Sequence, residues 1–140
     1  MKQLSALVVF GVLALGACGG SKATTVNVTM ADFSLKPEVP SVAAGTIKFE
    51  VRNNGTFGHE MVVVKAADAG DLPTKPDGEV NEDAIPESER MGEVEAVNPG
   101  FSKTFKVKLS AGKYVLFCNS VDGTKVHFKE GMHADFTVTR

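Results

Sequence analysis

Residues 105–118 read FKVKLSAGKYVLFC, and this stretch decides the class of fold. In its first five residues apolar side chains alternate with lysines, which is the pattern of a strand with one buried face and one face in water. Ala111-Gly112 then marks a turn. The run from Tyr114 to Cys118 is continuously apolar, which indicates a central strand of a sheet. The stretch therefore predicts two strands joined by a turn.

Similar segments recur along the chain, separated by turns that contain glycine or proline. Period-two alternation marks further strands at 26–30, 47–51 and 136–138, and residues 61–64 form a second continuously apolar run. Short strands with frequent turn signals are typical of an antiparallel sandwich or barrel. We therefore predict an all-β fold with one domain over residues 25–140.

Residues 66–91 break the strand pattern. They contain eight acidic side chains and three prolines, which predicts a long surface loop rather than a second core. A helical turn is expected near residues 82–90. The acidity is typical of a solvated face, and a docking surface for a basic partner is the alternative.

The first seventeen residues have the layout of an export signal. Lys2 gives a short basic start, residues 4–15 are almost wholly apolar, and small residues lead up to Cys18. The apolar run is too short for a comfortable membrane span. The sequence Leu15-Gly16-Ala17-Cys18 resembles the lipobox of bacterial lipoproteins, which implies cleavage before Cys18 and acylation of its thiol.

The predicted mature protein is exported and lipid-anchored to a bacterial membrane, on its periplasmic or outer face. Residues 18–24 read as a flexible tether between the anchor and the folded domain. A plain cleaved signal followed by an incidental cysteine is the alternative.

The net charge and the number of cysteines limit the classes of function that the chain can have. Removing residues 1–17 removes only Lys2, which leaves 14 of the 15 basic residues against 17 acidic ones, so nucleic-acid binding is not expected. If Cys18 carries lipid, Cys118 is the only thiol of the folded domain. In an exported protein such a thiol is a free reactive group or a metal ligand, unless it serves simply as a small buried hydrophobe.

Cys118 belongs to a set of four potential metal ligands. His127 and Met132 follow it, and His59 lies upstream, where a strand opens after a turn. Zinc sites have no place for a methionine thioether, and calcium and magnesium prefer oxygen ligands. Two histidines, one cysteine and a weak axial methionine are the ligands of a blue-copper site, which holds one copper ion.

In this respect the sequence resembles the cupredoxin family of type 1 blue-copper proteins, which includes plastocyanin and azurin. His59, Cys118, His127 and Met132 match the family's ligands in order, and the resemblance covers most of residues 25–140. It implies a Greek-key β-sandwich or barrel. It also implies one-electron transfer between redox protein partners, with copper cycling between Cu(II) and Cu(I) and His127 as the ligand nearest the surface. We expect a monomer.

The chain departs from the family pattern between Cys118 and His127. Residues 120–126 intervene, where the family often places the histidine soon after the cysteine. Asp122-Gly123 suits the tip of a turn. We interpret the segment as an insertion that leaves the ligand set intact.

Two of the ligands have rivals. His133 competes with His127, but strand parity groups Met132 with Phe136, which should face the core, and turns His133 outward. Met132 could instead fill the core, and Met61 is the other candidate thioether.

Three neighbouring side chains are expected to support the site. Phe117 and Phe128 flank the ligands in sequence, and we expect them to pack around the site and limit water. Asn119, next to the cysteine, is expected to hydrogen-bond across the loops.

Two other functions would use the same residues or the same fold. A copper carrier or chaperone would use the same ligands and release its metal, and a metal-free interaction module would keep only the fold. We do not expect an enzyme, because copper oxidases and nitrite reductases need further copper sites and the chain has three histidines in all. A hydrolase built on Cys118 and His127 would leave Met132 unexplained.

Overall fold

The computed structural model describes residues 22–140. The predicted export signal, Cys18 and the first part of the predicted tether lie outside these residues. The described chain contains eleven strands, numbered β1 to β11 in chain order. They are Thr24–Ala31, Ser34–Pro37, Ser41–Ala43, Gly45–Asn53, His59–Val64, Arg90–Val97, Ser102–Leu109, Gly112–Phe117, Val121–Asp122, Lys125–Val126 and His133–Thr139.

The strands form two sheets and a small hairpin. The first sheet has the order β2-β1-β4-β7, the second has the order β3-β11-β8-β5-β6, and β9 pairs with β10 alone. The predicted all-β sandwich is thus confirmed. The two continuously apolar runs, β5 and β8, occupy interior positions of the second sheet, as predicted. Within residues 22–140 no helix is long and apolar enough to cross a bilayer.

Two strand pairs differ from the predicted antiparallel arrangement. β1 runs parallel to β4, from Thr24↔Ile47 to Met30↔Asn53, and β3 runs parallel to β11. Parallel neighbours need a crossover connection. The chain supplies one by passing from β2 in the first sheet to β3 in the second before it returns as β4. Alternation indicates which face of a strand is buried but not which strand lies beside it.

The main core lies between the two sheets. Phe49 of the first sheet meets Phe136 of the second with ring centroids 5.6 Å apart in an edge-on arrangement. Full burial of an apolar side chain of this size contributes about 1.5–3 kcal/mol. The inward side chains of β1, β4 and β11 are buried as the alternation predicts, at Val26, Val28, Met30, Ile47, Val51 and Val138.

The excursion at residues 66–91 contributes more buried apolar side chains to the fold than the sequence indicated. It contains three short 3-10 turns, Ala69–Asp71, Glu82–Ala84 and Glu87–Glu89. It is more than a solvated loop, because three of its apolar side chains lie on the outer face of the second sheet. They form a buried cluster with residues of β5 and β8: Val62, Val64, Leu72, Val80, Ile85, Val115 and Phe117.

This second cluster explains the composition of β5 and β8. A strand with one face in water alternates polar and apolar residues, whereas a strand covered on both faces is continuously apolar. The inter-sheet core covers one face of β8 and the excursion covers the other. Six of the eight acidic residues of the excursion are exposed, whereas Glu79 and Glu82 are partly buried.

We expect Val80→Ala to destabilise the fold by opening a gap beneath the excursion. Val80 is 1% exposed, and the loss of two buried methyl groups should lower the free energy of unfolding by about 2 kcal/mol. The matched control is Val39→Ala at a valine that is 37% exposed, which should cost less than about 0.5 kcal/mol. Urea denaturation measures both values. Equal losses would mean that the excursion does not pack on the sheet.

Candidate metal centre

Three of the predicted ligands meet at one end of the sandwich. His59 is the first residue of β5, Cys118 directly follows β8, and His127 directly follows β10. Cys118 Sγ lies 3.9 Å from His59 Nδ1 and 3.5 Å from His127 Nδ1, and the two Nδ1 atoms are 3.1 Å apart. All three side chains are buried. One sulfur and two imidazole nitrogens therefore point at a common centre.

The second sheet holds His59 and Cys118 in register. β5 and β8 are neighbouring antiparallel strands, so the start of one lies beside the end of the other. On the far side of β5 the ladder with β6 shifts between His59 and Met61. The extra residue lies in β6, where Ala96 has a φ of +49°. Such bulges are common beside functional sites because they change the direction of a side chain.

Met132 is joined to two of these residues through its backbone. Its carbonyl accepts a hydrogen bond from the Cys118 N–H at 3.0 Å, and its N–H donates to the His127 carbonyl at 3.0 Å. The Met132 side chain is fully buried in the inter-sheet core together with Cys118. The predicted axial ligand is thus tied to the loop that carries the other C-terminal ligands.

The alternative ligands His133 and Met61 do not belong to the cluster of His59, Cys118 and His127. His133 is partly exposed and packs against Phe128, with ring centroids 5.2 Å apart. His127, rather than His133, groups with His59 and Cys118 among the described residues. Met61 is buried in the inter-sheet core.

The residues between Cys118 and His127 form a hairpin. β9 pairs with β10 through Val121↔Val126 and Asp122↔Lys125, and Gly123 at the tip has a φ of +59°, a value that glycine adopts readily. The His127 N–H donates to the Ser120 carbonyl at 3.0 Å. The segment thus closes on itself and returns the chain beside Cys118.

The aromatic residues around the site are not the ones predicted. Phe117 and Phe128 contact each other in the second cluster, on the other face of the sheet, because Phe117 and Cys118 alternate sides. His127 instead contacts Phe33 and Phe57, with centroid distances of 5.3 and 6.0 Å. These two rings cover His127, which is 0% exposed. Phe33 is distant from every ligand in sequence, and Phe57 lies two residues before His59 but contacts His127, so no local pattern indicated either contact.

Asn119 links the site to the excursion, as predicted. Its side-chain oxygen accepts from the Val80 N–H at 2.8 Å, and its amide donates to the Val80 carbonyl at 3.0 Å and to Glu82 at 2.8 Å. Its backbone N–H donates to the Glu60 carboxylate at 3.1 Å. The Glu60 backbone N–H in turn donates to Cys118 Sγ at 3.5 Å. The cysteine is therefore held by β5 through Glu60, and its neighbour Asn119 is held by the excursion.

Burial determines the protonation of the metal-free site. It lowers the pKa of His59, to which the nearby His127 adds a smaller effect, and it lowers the pKa of His127. It also raises the pKa of the Cys118 thiol and, with the nearby Glu82 charge, that of Glu60. Both imidazoles are thus favoured in the neutral form that metal ligands need.

The donor set fits a metal that accepts sulfur and nitrogen. The cluster holds one thiol and two imidazoles and no carboxylate. The Asp32 and Glu60 side chains hydrogen-bond to loop backbone instead. Soft thiolate and imidazole ligands suit copper and zinc rather than calcium or magnesium. The buried Nε2 atoms of His59 and His127 have no hydrogen-bond partner among the described residues.

We expect the metal-free protein to become less stable in acid. Its histidines resist protonation, so below about pH 6.5 the unfolded chain binds more protons and the free energy of unfolding falls. The double variant His59→Gln/His127→Gln should lose this part of the pH dependence, and His133→Gln should keep it. Denaturation at about pH 7.5 and about pH 5.5 measures the difference. An unchanged pH dependence in the double variant would contradict the burial argument.

A comparison with protein families identifies the domain. A family model described as a cupredoxin-like domain matches residues 4–127, which is most of the chain and includes His59, Cys118 and His127. No curated protein that was compared with the chain matches it.

Solved structures share the fold at low sequence identity. Reduced auracyanin from the photosynthetic bacterium Roseiflexus castenholzii has a TM-score of 0.61 and 21% identity, over 86% of this chain and all of the other. Auracyanin A, a "blue" copper protein from Chloroflexus aurantiacus, has a TM-score of 0.59 and 18% identity, over 84% of this chain and 100% of the other. An azurin from Methylomonas sp. strain J has a TM-score of 0.57 and 18% identity, over 85% of this chain and 100% of the azurin chain. Together with the family match, the two-sheet sandwich establishes that this chain belongs to the cupredoxin-like domain family.

Proposed function

We propose that this protein is a type 1 copper protein that carries single electrons between redox protein partners. The observation that carries the proposal is the meeting of Cys118 Sγ with the Nδ1 atoms of His59 and His127, at 3.9 and 3.5 Å, in a buried site. Two histidines, one cysteine and a weak methionine form the ligand set typical of blue-copper electron transfer. Met132 is proposed as the weak axial ligand.

The chain would hold the metal through groups that are already in place. A bound copper ion supplies the one-electron chemistry by alternating between Cu(II) and Cu(I). His59 and His127 would bind it through Nδ1 and Cys118 through its deprotonated Sγ. The Glu60 N–H donates to that sulfur and stabilises its negative charge. The backbone bonds of Met132 to Cys118 and His127 resist a change of ligand positions when the electron arrives or leaves.

A copper carrier or chaperone is the second candidate, and burial argues against it. A carrier must give up its metal, which requires that a ligand become accessible to a competitor. His59 and His127 are no more than 1% exposed and Cys118 is fully buried. A site closed in this way favours a permanently bound ion. The fold alone does not distinguish an electron carrier from a metal-free interaction module.

We also propose that Cys18 carries a lipid anchor on the outer side of a bacterial membrane. β1 begins at Thr24 beside Ile47, near the start of β4. The ligands lie beyond the other end of β4, where the Asn53 amide donates to the Phe57 carbonyl. A strand of this length spans about 30 Å. The anchor would thus hold one end of the sandwich at the membrane and turn the copper site toward its partners.

We expect the purified protein to bind one copper ion and to turn intensely coloured. The colour arises from a charge-transfer band between thiolate and Cu(II), so Cys118→Ser should abolish it. Retention of the ion during a challenge with a strong chelator is expected for an electron carrier. Visible absorption and metal analysis measure these outcomes.

Three results would contradict the proposal. The same visible spectrum in wild type and Cys118→Ser would exclude Cys118 as a ligand. Copper binding without the band, followed by fast transfer to the chelator, would favour the carrier. Failure to bind copper would favour the metal-free module.

The lipid anchor predicts a different effect for the same substitution at the two cysteines. Cys18→Ser should move the exported protein from the membrane fraction to the soluble fraction, because acylation needs the thiol. Cys118→Ser is the matched control and should stay with the membrane. Cell fractionation and immunoblotting measure the distribution. Membrane retention of Cys18→Ser would contradict the anchor.

A further inference from the structure

One two-residue turn touches both histidines of the site from outside. β1 and β2 pair as far as Ala31↔Ser34, so Asp32 and Phe33 form the connecting turn. Asp32 Oδ1 lies 3.4 Å from His59 Nε2. The Phe33 ring meets the His127 ring edge-on, with centroids 5.3 Å apart and an interplanar angle of 87°.

Hydrogen bonds lock the Asp32 carboxylate in place. Its Oδ1 accepts from the N–H groups of Thr56 at 2.8 Å and Phe57 at 3.3 Å, and its Oδ2 accepts from the Thr56 hydroxyl at 2.8 Å. Gly55 is required for this approach, since a Cβ there would lie 2.3 Å from Asp32 Oδ1 and 3.0 Å from His59 Nε2. The carboxylate is therefore packed against the outer edge of His59.

Asp32 carries its charge at neutral pH, because the N–H groups of Thr56 and Phe57 and the Thr56 hydroxyl donate to its carboxylate and favour the ionised form. The distance of 3.4 Å between Asp32 Oδ1 and His59 Nε2 is short enough for an ion pair, but the two atoms are not aligned for a hydrogen bond. Asp32 therefore acts on the imidazole mainly through charge.

Phe33 adopts a backbone conformation that is unusual for a bulky residue. Its φ is +59°, in the left-handed region that is unfavourable for a bulky non-glycine residue. Its ring also contacts Phe57, with centroids 6.0 Å apart, and Lys125 Nζ lies 6.0 Å from its centre. Strain of this kind persists where the surroundings require it and is often associated with function.

We propose that the Asp32-Phe33 turn is the outer support of the copper site, in which Asp32 orients His59 and Phe33 holds and covers His127. The inference rests on the proposed copper function. The negative charge beside Nε2 favours the tautomer with its proton on Nε2 and leaves the Nδ1 lone pair for the metal. Asp32 is thus a positioning residue. Its negative charge also stabilises Cu(II) relative to Cu(I).

The charge effect is tested with Asp32→Asn. This variant keeps an oxygen acceptor for the Thr56 and Phe57 N–H groups. Binding should shift about tenfold in favour of Cu(I), which raises the reduction potential by about 59 mV. Asp135→Asn, at an exposed residue of β11, is the matched control and should leave the potential unchanged. Thr56→Val removes a bond to Asp32 but no charge, so it should lower stability without raising the potential.

The orientation of His59 is tested without copper. In the metal-free protein, nitrogen-15 NMR should show His59 predominantly as the tautomer with its proton on Nε2. Asp32→Ala should give a mixture of tautomers, and Asp135→Ala should not. An unchanged tautomer in Asp32→Ala, or equal potentials for Asp32→Asn and Asp135→Asn, would overturn the role of Asp32. Failure of wild type to bind copper would defeat the proposed function and leave the tautomer test valid.

The covering role of Phe33 is tested by the rate at which a chelator removes copper. Phe33→Leu should let a chelator remove copper at least about tenfold faster, whereas Phe101→Leu, at a phenylalanine that is 66% exposed, should keep the wild-type rate. Phe33→Gly relieves the positive φ, so it should fold well and still release copper faster. Wild-type release rates in both Phe33 variants would overturn the covering role.

Discussion

Strand β8 is buried on both faces, and the rest of the structure depends on that burial. It pairs with β11 on one side and with β5 on the other. One face lies in the inter-sheet core and the other lies beneath the excursion at residues 66–91. Because successive side chains point to opposite faces, Phe117 enters the outer cluster and Cys118 turns toward the two histidines. The position of the thiol is thus a consequence of how β8 is packed.

Burial of the polar ligands lowers the stability of the metal-free protein. Burial keeps both imidazoles neutral and disfavours the thiolate of Cys118. A buried polar atom without a partner costs about 1–3 kcal/mol, and His127 Nε2 is of this kind among the described residues. A metal ion would restore favourable interactions on the Nδ1 side and stabilise the thiolate. Local violations of good packing rules are expected at functional sites.

Two loops that are distant from each other in sequence contact the residues of the site and hold them in position. The excursion reaches it through Asn119, whose side chain bonds to Val80 and Glu82. The β1–β2 turn reaches it through Asp32 and Phe33. The excursion supports the cysteine side of the site and the turn supports the histidine side. Neither loop supplies any of the proposed ligands, but the excursion holds the residue next to the cysteine and the turn covers His127.

Side-chain periodicity predicted the all-β class, the buried face of each main strand and the interior places of β5 and β8, because it is a local property of a strand. The sequence also supplied the candidate ligands, since a lone cysteine, two histidines and a methionine have few other combined uses. The folded chain alone revealed the parallel strand pairs and the burial of the outer sheet face beneath Val80 and its neighbours. It also revealed that Phe33 and Phe57, rather than Phe117 and Phe128, pack against His127. These features depend on which distant segments the crossing chain brings together, and periodicity carries no information about contacts between residues far apart in sequence.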